Sequence, residues 1–97
     1  MKEFFVPEKY DTVILDYVCS HENCIKTDIY AYIELTGSNA TKKVNRLIDL
    51  GLVIEKNFGM YNTKRIYITP KGRMVLRRMI EMDDVLNDRV PIPEEFM

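Results

Sequence analysis

Apolar positions along this chain recur with a spacing that changes as the chain proceeds, and the changes mark its elements. Between residues 7 and 21 they return every three to four residues, at Tyr10, Ile14, Tyr17 and Val18, which predicts an amphipathic helix. Pro7 suits the first turn of that helix, and Asn23 tolerates the left-handed backbone that often comes after a helix end. Ile29 and Ile33 mark the inner face of a short second helix over 28–35, with Thr27 as its N-cap and Asp28 in its first turn. Thr36-Gly37-Ser38 interrupts the pattern: Gly37 supplies the backbone angles of a tight turn, and Ser38 can cap a further helix. That third helix is predicted over 38–50. At about 100° per residue, Ala40, Val44, Leu47 and Ile48 fall on one side of it. Asn39, Lys42, Lys43, Asn45, Arg46 and Asp49 fall on the other.

Gly51 closes the third helix, and beyond it the spacing shortens to two. Residues 52–56 read as one strand and 64–68 as a second, with Ile66 and Ile68 on one face and Arg65 and Tyr67 on the other. The polar, glycine-containing loop 57–63 joins them into a hairpin. Thr69-Pro70 caps and opens a fourth helix over 70–86, because proline at the first helical position already has a helical φ. Its broad apolar face holds Gly72, Val75, Leu76, Met79, Ile80, Met82 and Leu86, while Met74 and Val85 fall outside it beside Arg78. Two uses suit that surface: plain core packing, or a dimer interface built from Met74, Met79, Met82, Val85 and Leu86. The tail 87–97 contains Pro91 and Pro93, is not expected to be helical, and reads as an arm or a disordered segment. The chain is thus α+β and a single domain over 1–97. Its second and third helices, joined by a short glycine turn, have the layout of a helix-turn-helix, which many purely structural helix pairs share.

Charge sharpens this picture. The 97 residues carry a net charge of −1, which by itself argues for no polyanionic partner. Residues 38–78, however, hold ten basic and two acidic side chains, a balance of +8, and the remainder balances at −9. A basic block inside an acidic frame points to one surface meant for a polyanion. On the third helix Lys42 and Lys43 lack the acid four residues before them that a merely solvated helix tends to supply. Asp49, three residues after Arg46, is placed to hold that arginine.

Other chemistries find little support. No apolar run approaches the roughly 20 residues of a membrane span, and the start lacks a signal-peptide pattern, so no membrane partner is expected and the cytoplasm is the default address. Cys19, Cys24 and His21 are the chain's only cysteines and histidine, one short of the four ligands that structural zinc takes, so neither a metal nor a cofactor is expected. Cys19 reads as a small core residue and Cys24 as a residue near a turn. With one histidine, no nucleophile elbow and no phosphate-cradling loop, the chain does not read as an enzyme. The carboxylates of Asp83-Asp84 and Glu94-Glu95 fit a solvated surface better than acid–base catalysis.

The stretch "NATKKVNRLIDLGLVIEKN", with "KRIYITPKGRMVL" after it, resembles the winged helix-turn-helix regulators of the MarR type and their small archaeal relatives. Two features carry the likeness. One is the third helix leading through Gly51-Leu52-Val53 into a strand. The other is "YITPKG", Tyr67 to Gly72, which is similar to the exit from the wing in that family. The likeness spans roughly residues 10 to 86. It implies a winged helix-turn-helix over 7–86, with a three-helix core, a two- or three-stranded β-wing and a C-terminal helix. It further implies a sequence-specific regulator of transcription that binds double-stranded DNA as a homodimer pairing through terminal helices. Helix 38–50 would enter the major groove, and hairpin 52–68 would be the wing. Asn39, Thr41, Lys42, Lys43 and Arg46 would then form the recognition surface, with Asn62, Lys64 and Arg65 as wing contacts. Ser38 and the free N–H groups at the helix start suit phosphate; Asn39 suits adenine, and Lys42 or Arg46 suits guanine. Asn45 shares their polar face. The chain departs from the family in lacking long additional helices, and Phe58, Met60 and Tyr61 stand at the wing tip in place of an arginine. A winged helix also serves as a protein-interaction module without DNA binding. The acidic frame, the aromatic hairpin tip and the methionine-rich last helix would suit that use.

Overall fold

Apolar side chains of all four helices and of the inner face of the hairpin join in one core, and α1 lies at its centre, packed on α2, α3, β2 and α4. The computed structural model describes residues 4–35, 37–59 and 63–97. The elements run α1 (Asp11–Ser20), α2 (Lys26–Ile33), α3 (Gly37–Asp49), β1 (Val53–Phe58), β2 (Thr63–Ile68) and α4 (Pro70–Leu86), with a short 3-10 turn at Glu94–Phe96. Ile14, Leu15 and Val18 of α1, Ile29 of α2, Val44 and Leu47 of α3, and Val53 and Ile66 of the hairpin are sealed from solvent. Burying each such side chain contributes about 1.5–3 kcal/mol, so this cluster is the main cohesive element.

Every predicted element is present, and the shifted boundaries have local causes. α1 begins at Asp11 rather than near Pro7 because the Glu8 N–H donates to Asp11 Oδ2 at 2.7 Å, closing a separate turn ahead of the helix. α2 begins at Lys26, and Thr27 lies inside it rather than capping it. The Asp28 carboxylate instead reaches back to the Ile25 N–H at 3.2 Å. Gly37 opens α3 with a φ of +67°, so Ser38 sits within the first turn instead of preceding it; Thr36 lies outside the described residues.

The hairpin is antiparallel, in register from Val53 opposite Ile68 to Phe58 opposite Thr63. Ile66 and Ile68 point into the core as the alternation predicts. The choice between two and three strands resolves as two strands plus one bridging residue, Cys24, which pairs with Ile66. The Ile66 N–H donates to the Cys24 carbonyl at 2.7 Å, and the left-handed Asn23 (φ 74°) turns the chain into position. Cys24 thus follows a turn, as expected, and belongs to the sheet as well. Cys24 is a core residue, and burial pushes its thiol pKa up. Cys19 is only half-buried, with its Sγ 3.4 Å from Arg73 Nη1.

The Thr-Pro-Lys-Gly sequence fastens α4 to the corner between α3 and β1. The Thr69 hydroxyl donates to the Gly51 carbonyl at 2.7 Å and accepts from the Gly72 N–H at 2.9 Å, and the Thr69 N–H donates to Leu52 O at 3.1 Å. Gly72 is required by proximity and not by its dihedral angles: a Cβ there would stand 2.0 Å from the Leu52 carbonyl oxygen. Further along α4, Leu76 and Met79 enter the core, and Met79 Sδ accepts from Thr12 Oγ1 at 3.3 Å. Met79 thus leaves the expected interface set, because α1 already covers it, while Met74, Met82, Val85 and Leu86 are exposed. Ile80, expected on the inner face, is exposed as well.

The tail is more ordered than its prolines suggest. Asp88 turns left-handed (φ 56°), and Arg89 reaches back to Asp83 at 2.6 Å and Asp84 at 3.1 Å. The arm then returns beside the end of α4 and finishes in the 3-10 turn, which corrects the expectation of no helix after residue 86.

Substituting Gly72→Ala forces α4 away from Leu52 and is expected to cost about 2–3 kcal/mol. Urea unfolding with an unchanged m-value would register this as a lower midpoint; an unchanged midpoint would contradict the close approach.

Candidate nucleic-acid interface

Seating Ala40, Val44 and Leu47 at zero exposure fixes the rotation of α3, so its opposite face must look outward. Ser38, Asn39, Thr41, Lys42 and Asn45 are exposed there, whereas Lys43 and Arg46 are half-buried. Asn39 and Lys42 have no hydrogen-bond or ion-pair partner among the described residues. The Thr41 hydroxyl is engaged locally, donating to the Gly37 carbonyl at 3.2 Å and accepting from Tyr30 at 3.5 Å. The half of α3 nearest the turn therefore presents an amide, a hydroxyl and an uncompensated cation to solvent.

The other half is covered by the chain's own N-terminal segment. Arg46 Nη1 lies 2.6 Å from Asp11 Oδ2, its Nε pairs with Glu8, and Nη2 donates to the Val6 carbonyl at 2.9 Å. The Phe5 ring lies 5.2 Å from the guanidinium carbon. Lys43 sits 3.5 Å from Glu8 and 6.0 Å from the Tyr10 ring. Arg46 is thus held by Glu8 and Asp11 and not, as the sequence suggested, by Asp49. The reason is tertiary: packing α1 on α3 buries Asp11 completely, and a buried carboxylate requires a cation in contact. Asp49 is exposed and makes no such demand.

Beside α3, charged groups tie the hairpin to the helices. Lys26, at the start of α2, lies 3.1 Å from Glu55 Oε2 and donates to the Asn45 side-chain oxygen at 3.4 Å. Lys64 lies 3.7 Å from Glu55 Oε1 and remains 60% exposed, so its ammonium is free to serve a second anion. Arg65 donates to the Asn23 carbonyl at 3.2 Å. Lys56 lies 5.3 Å above the Tyr67 ring, whose hydroxyl donates to Asn23 Oδ1 at 2.8 Å. Phe58 is exposed and meets Tyr67 edge-on with centroids 6.0 Å apart. Asn62, with Met60 and Tyr61, lies outside the described residues.

Lys26 and Lys56 join this surface although spacing along the chain did not single them out. Lys26 lies outside the basic block, but a signal was available. A cation in the first turn of a helix opposes the helix dipole, and it tends to be there for some other partner.

A helix, then two helices about a short turn, then a two-stranded hairpin and a further helix define a winged helix-turn-helix. It is the fold of the MarR- and SlyA-type transcription regulators. The transcriptional regulator SlyA superposes with a TM-score of 0.70 at 24% identity, over 80% of this chain and 56% of SlyA. Streptococcus pneumoniae FabT, in complex with DNA, gives 0.70 at 14% identity, over 92% of this chain and 64% of FabT. A point mutant of S. aureus MepR, bound to an oligodeoxyribonucleotide, gives 0.73 at 17% identity, over 90% and 67% of the two chains. The chain thus spans little more than half of SlyA and about two thirds of FabT and MepR. No protein-family profile and no curated protein matches the sequence. Among the described residues, no helix is long and apolar enough to cross a membrane, and no group of three or more His, Cys, Asp or Glu is placed to hold a metal.

The two halves of α3 separate by mutation. Removing Arg46 strands Asp11 in the interior, so Arg46→Ala is expected to lower stability by about 3 kcal/mol. Lys42→Ala is expected to stay within about 0.5 kcal/mol of wild type. Chemical denaturation of both variants checks this; equal losses would mean that Arg46 carries no structural role.

Proposed function

We propose that the chain is a sequence-specific double-stranded-DNA-binding regulator of transcription, a binding protein and not an enzyme, acting in the cytoplasm as a homodimer. The observation that carries this reading is the turn-proximal half of α3, where Asn39 and Lys42 are exposed and unpartnered among the described residues. A free amide offers both a donor and an acceptor to an adenine edge, and a free ammonium suits guanine or phosphate. Ser38 and the open N–H groups at the start of α3 favour phosphate, and Thr41 lies beside them.

In this reading Lys64 and Arg65, with Lys26 and Lys56, track the phosphate backbone along the wing, and Asn62 belongs to the same set on sequence grounds. Arg46 acts by positioning, since each of its three nitrogens is already engaged by Glu8, Asp11 or the Val6 carbonyl, and Lys43 contributes only the charge that Glu8 leaves uncompensated. Asn45 is oriented by Lys26. Met74, Met82, Val85 and Leu86 supply apolar contact between copies. Support for DNA as the partner also comes from the shared fold of FabT and MepR, both solved with DNA.

Fluorescence anisotropy of labelled duplex over a salt series tests the reading. If about five phosphates are neutralised per subunit, log K is expected to fall with log salt at a slope near −4.5. Asn39→Ala/Lys42→Ala should weaken binding at least about tenfold without loss of stability, as one lost bidentate or charged contact of 1–3 kcal/mol requires. Absence of binding at low salt would favour the protein-interaction module instead.

A further inference from the structure

The outer face of α4 carries a pattern that is complementary to itself. At about 100° per residue, Met74, Arg78, Glu81 and Val85 fall within an arc of roughly 60°, on the side of α4 away from the buried Gly72, Leu76 and Met79. All four are exposed: Met74 63%, Arg78 and Glu81 more than half at their side chains, and Val85 42%. Read along the helix, the stripe is apolar, positive, negative, apolar. Running a second copy antiparallel about a point midway between Met79 and Ile80 sets Met74 opposite Val85 and Arg78 opposite Glu81. The two-fold operation produces each pairing twice. Within one chain Arg78 and Glu81 are 3.2 Å apart, an exposed pair of small net value that exchanges for two inter-chain pairs without loss.

A second feature lies on the same stripe. The arm does not close on α4: a cavity of about 620 Å³ lies between them, lined by Glu81, Asp84 and Val85 of α4 and by Val90, Ile92 and Phe96 of the arm. Its lining is almost wholly apolar, yet Phe96 remains 74% exposed. The antiparallel pairing brings Met74 of the second copy to Val85, at this cavity. An unbranched thioether suits an irregular apolar gap.

We propose that a second copy of this chain occupies the outer face of α4 in an isologous, antiparallel arrangement. Met74 of each copy fills the cavity between α4 and the arm of the other, and Arg78 of each faces Glu81 of the other. This rests on the homodimer reading above and adds to it the orientation, the register and the role of the arm. The arm is then part of the interface, forming the wall of the socket that receives the partner copy.

Reciprocal charge exchange tests the arrangement in the 97-residue chain. Self-association is measured by sedimentation over a concentration series. Wild type is expected to dimerise, whereas Arg78→Glu alone and Glu81→Arg alone each face like charges twice and should dimerise at least about tenfold more weakly. Combining both substitutions in one chain, or mixing the two single variants in equal amounts, restores opposite charges at both positions and should return affinity to within about threefold of wild type. Met74→Glu, which drives a carboxylate into the apolar socket, should weaken dimerisation at least as much as either charge variant. Thermal unfolding of each variant controls for folding, which exposed positions should leave intact. A wild type that stays monomeric at high micromolar concentration overturns the homodimer reading and this arrangement together. A wild-type dimer whose single variants pair normally, or whose losses neither reciprocal combination repairs, overturns this arrangement alone.

Discussion

The contact between Arg46 and Asp11 governs how the rest of the molecule is used. Asp11 is wholly buried at the start of α1, and one of its oxygens accepts from both the Glu8 N–H and the Arg46 guanidinium. Taking a carboxylate out of water costs several kcal/mol, which only a cation in contact offsets, so α3 cannot rotate or slide without exposing or stranding a charge. The same arginine gathers the Val6 carbonyl, Glu8 and the Phe5 ring, pulling residues 5–11 across the far half of α3. What is left of the polar face is the part near the turn, and it is this remainder that resembles a reading surface. A structural ion pair thus decides which side chains are available for recognition.

A second constraint sets the wing. The close approach of Gly72 to the Leu52 carbonyl, with the Thr69 hydroxyl reaching Gly51, joins the end of α3, the start of β1 and the start of α4 at one corner. The hairpin therefore leaves the core at an angle determined by backbone contacts. Lys26, bound to both Glu55 and Asn45, then links hairpin, α2 and α3 through side chains that are partly screened by water. The backbone corner is stiff and the charged link is weak. Such a division suits the role proposed for the hairpin, adjustable along its length and fixed at its base.

The acidic frame also acquires a use. Glu8 and Asp11 of that frame, together with Glu55 inside the basic block, each neutralise specific cations on or beside α3 and leave others bare. Net charge near zero and a locally positive surface are therefore compatible. The acids near the end of α4 play a different part, since Asp83 and Asp84 hold Arg89 and with it the arm.

By itself the sequence determined the elements and most of the core. Periodicity of 3.6 placed Ile14, Val18, Ile29, Ile33, Val44 and Leu47 inward, period two did the same for Ile66 and Ile68, and Thr69-Pro70 marked the start of α4. These are local matters, in which side-chain order along one element dictates which face is apolar. The tertiary structure decided the partners. Arg46 went to Asp11 instead of Asp49, Cys24 joined the sheet beside its turn, and Met79 went to α1 instead of a second copy. It also showed why Gly72 is a glycine, and it drew Lys26 into the candidate surface. All of these depend on which residues distant in sequence are forced together when the apolar faces close. That distance is set by packing in three dimensions, and no spacing along the chain encodes it directly.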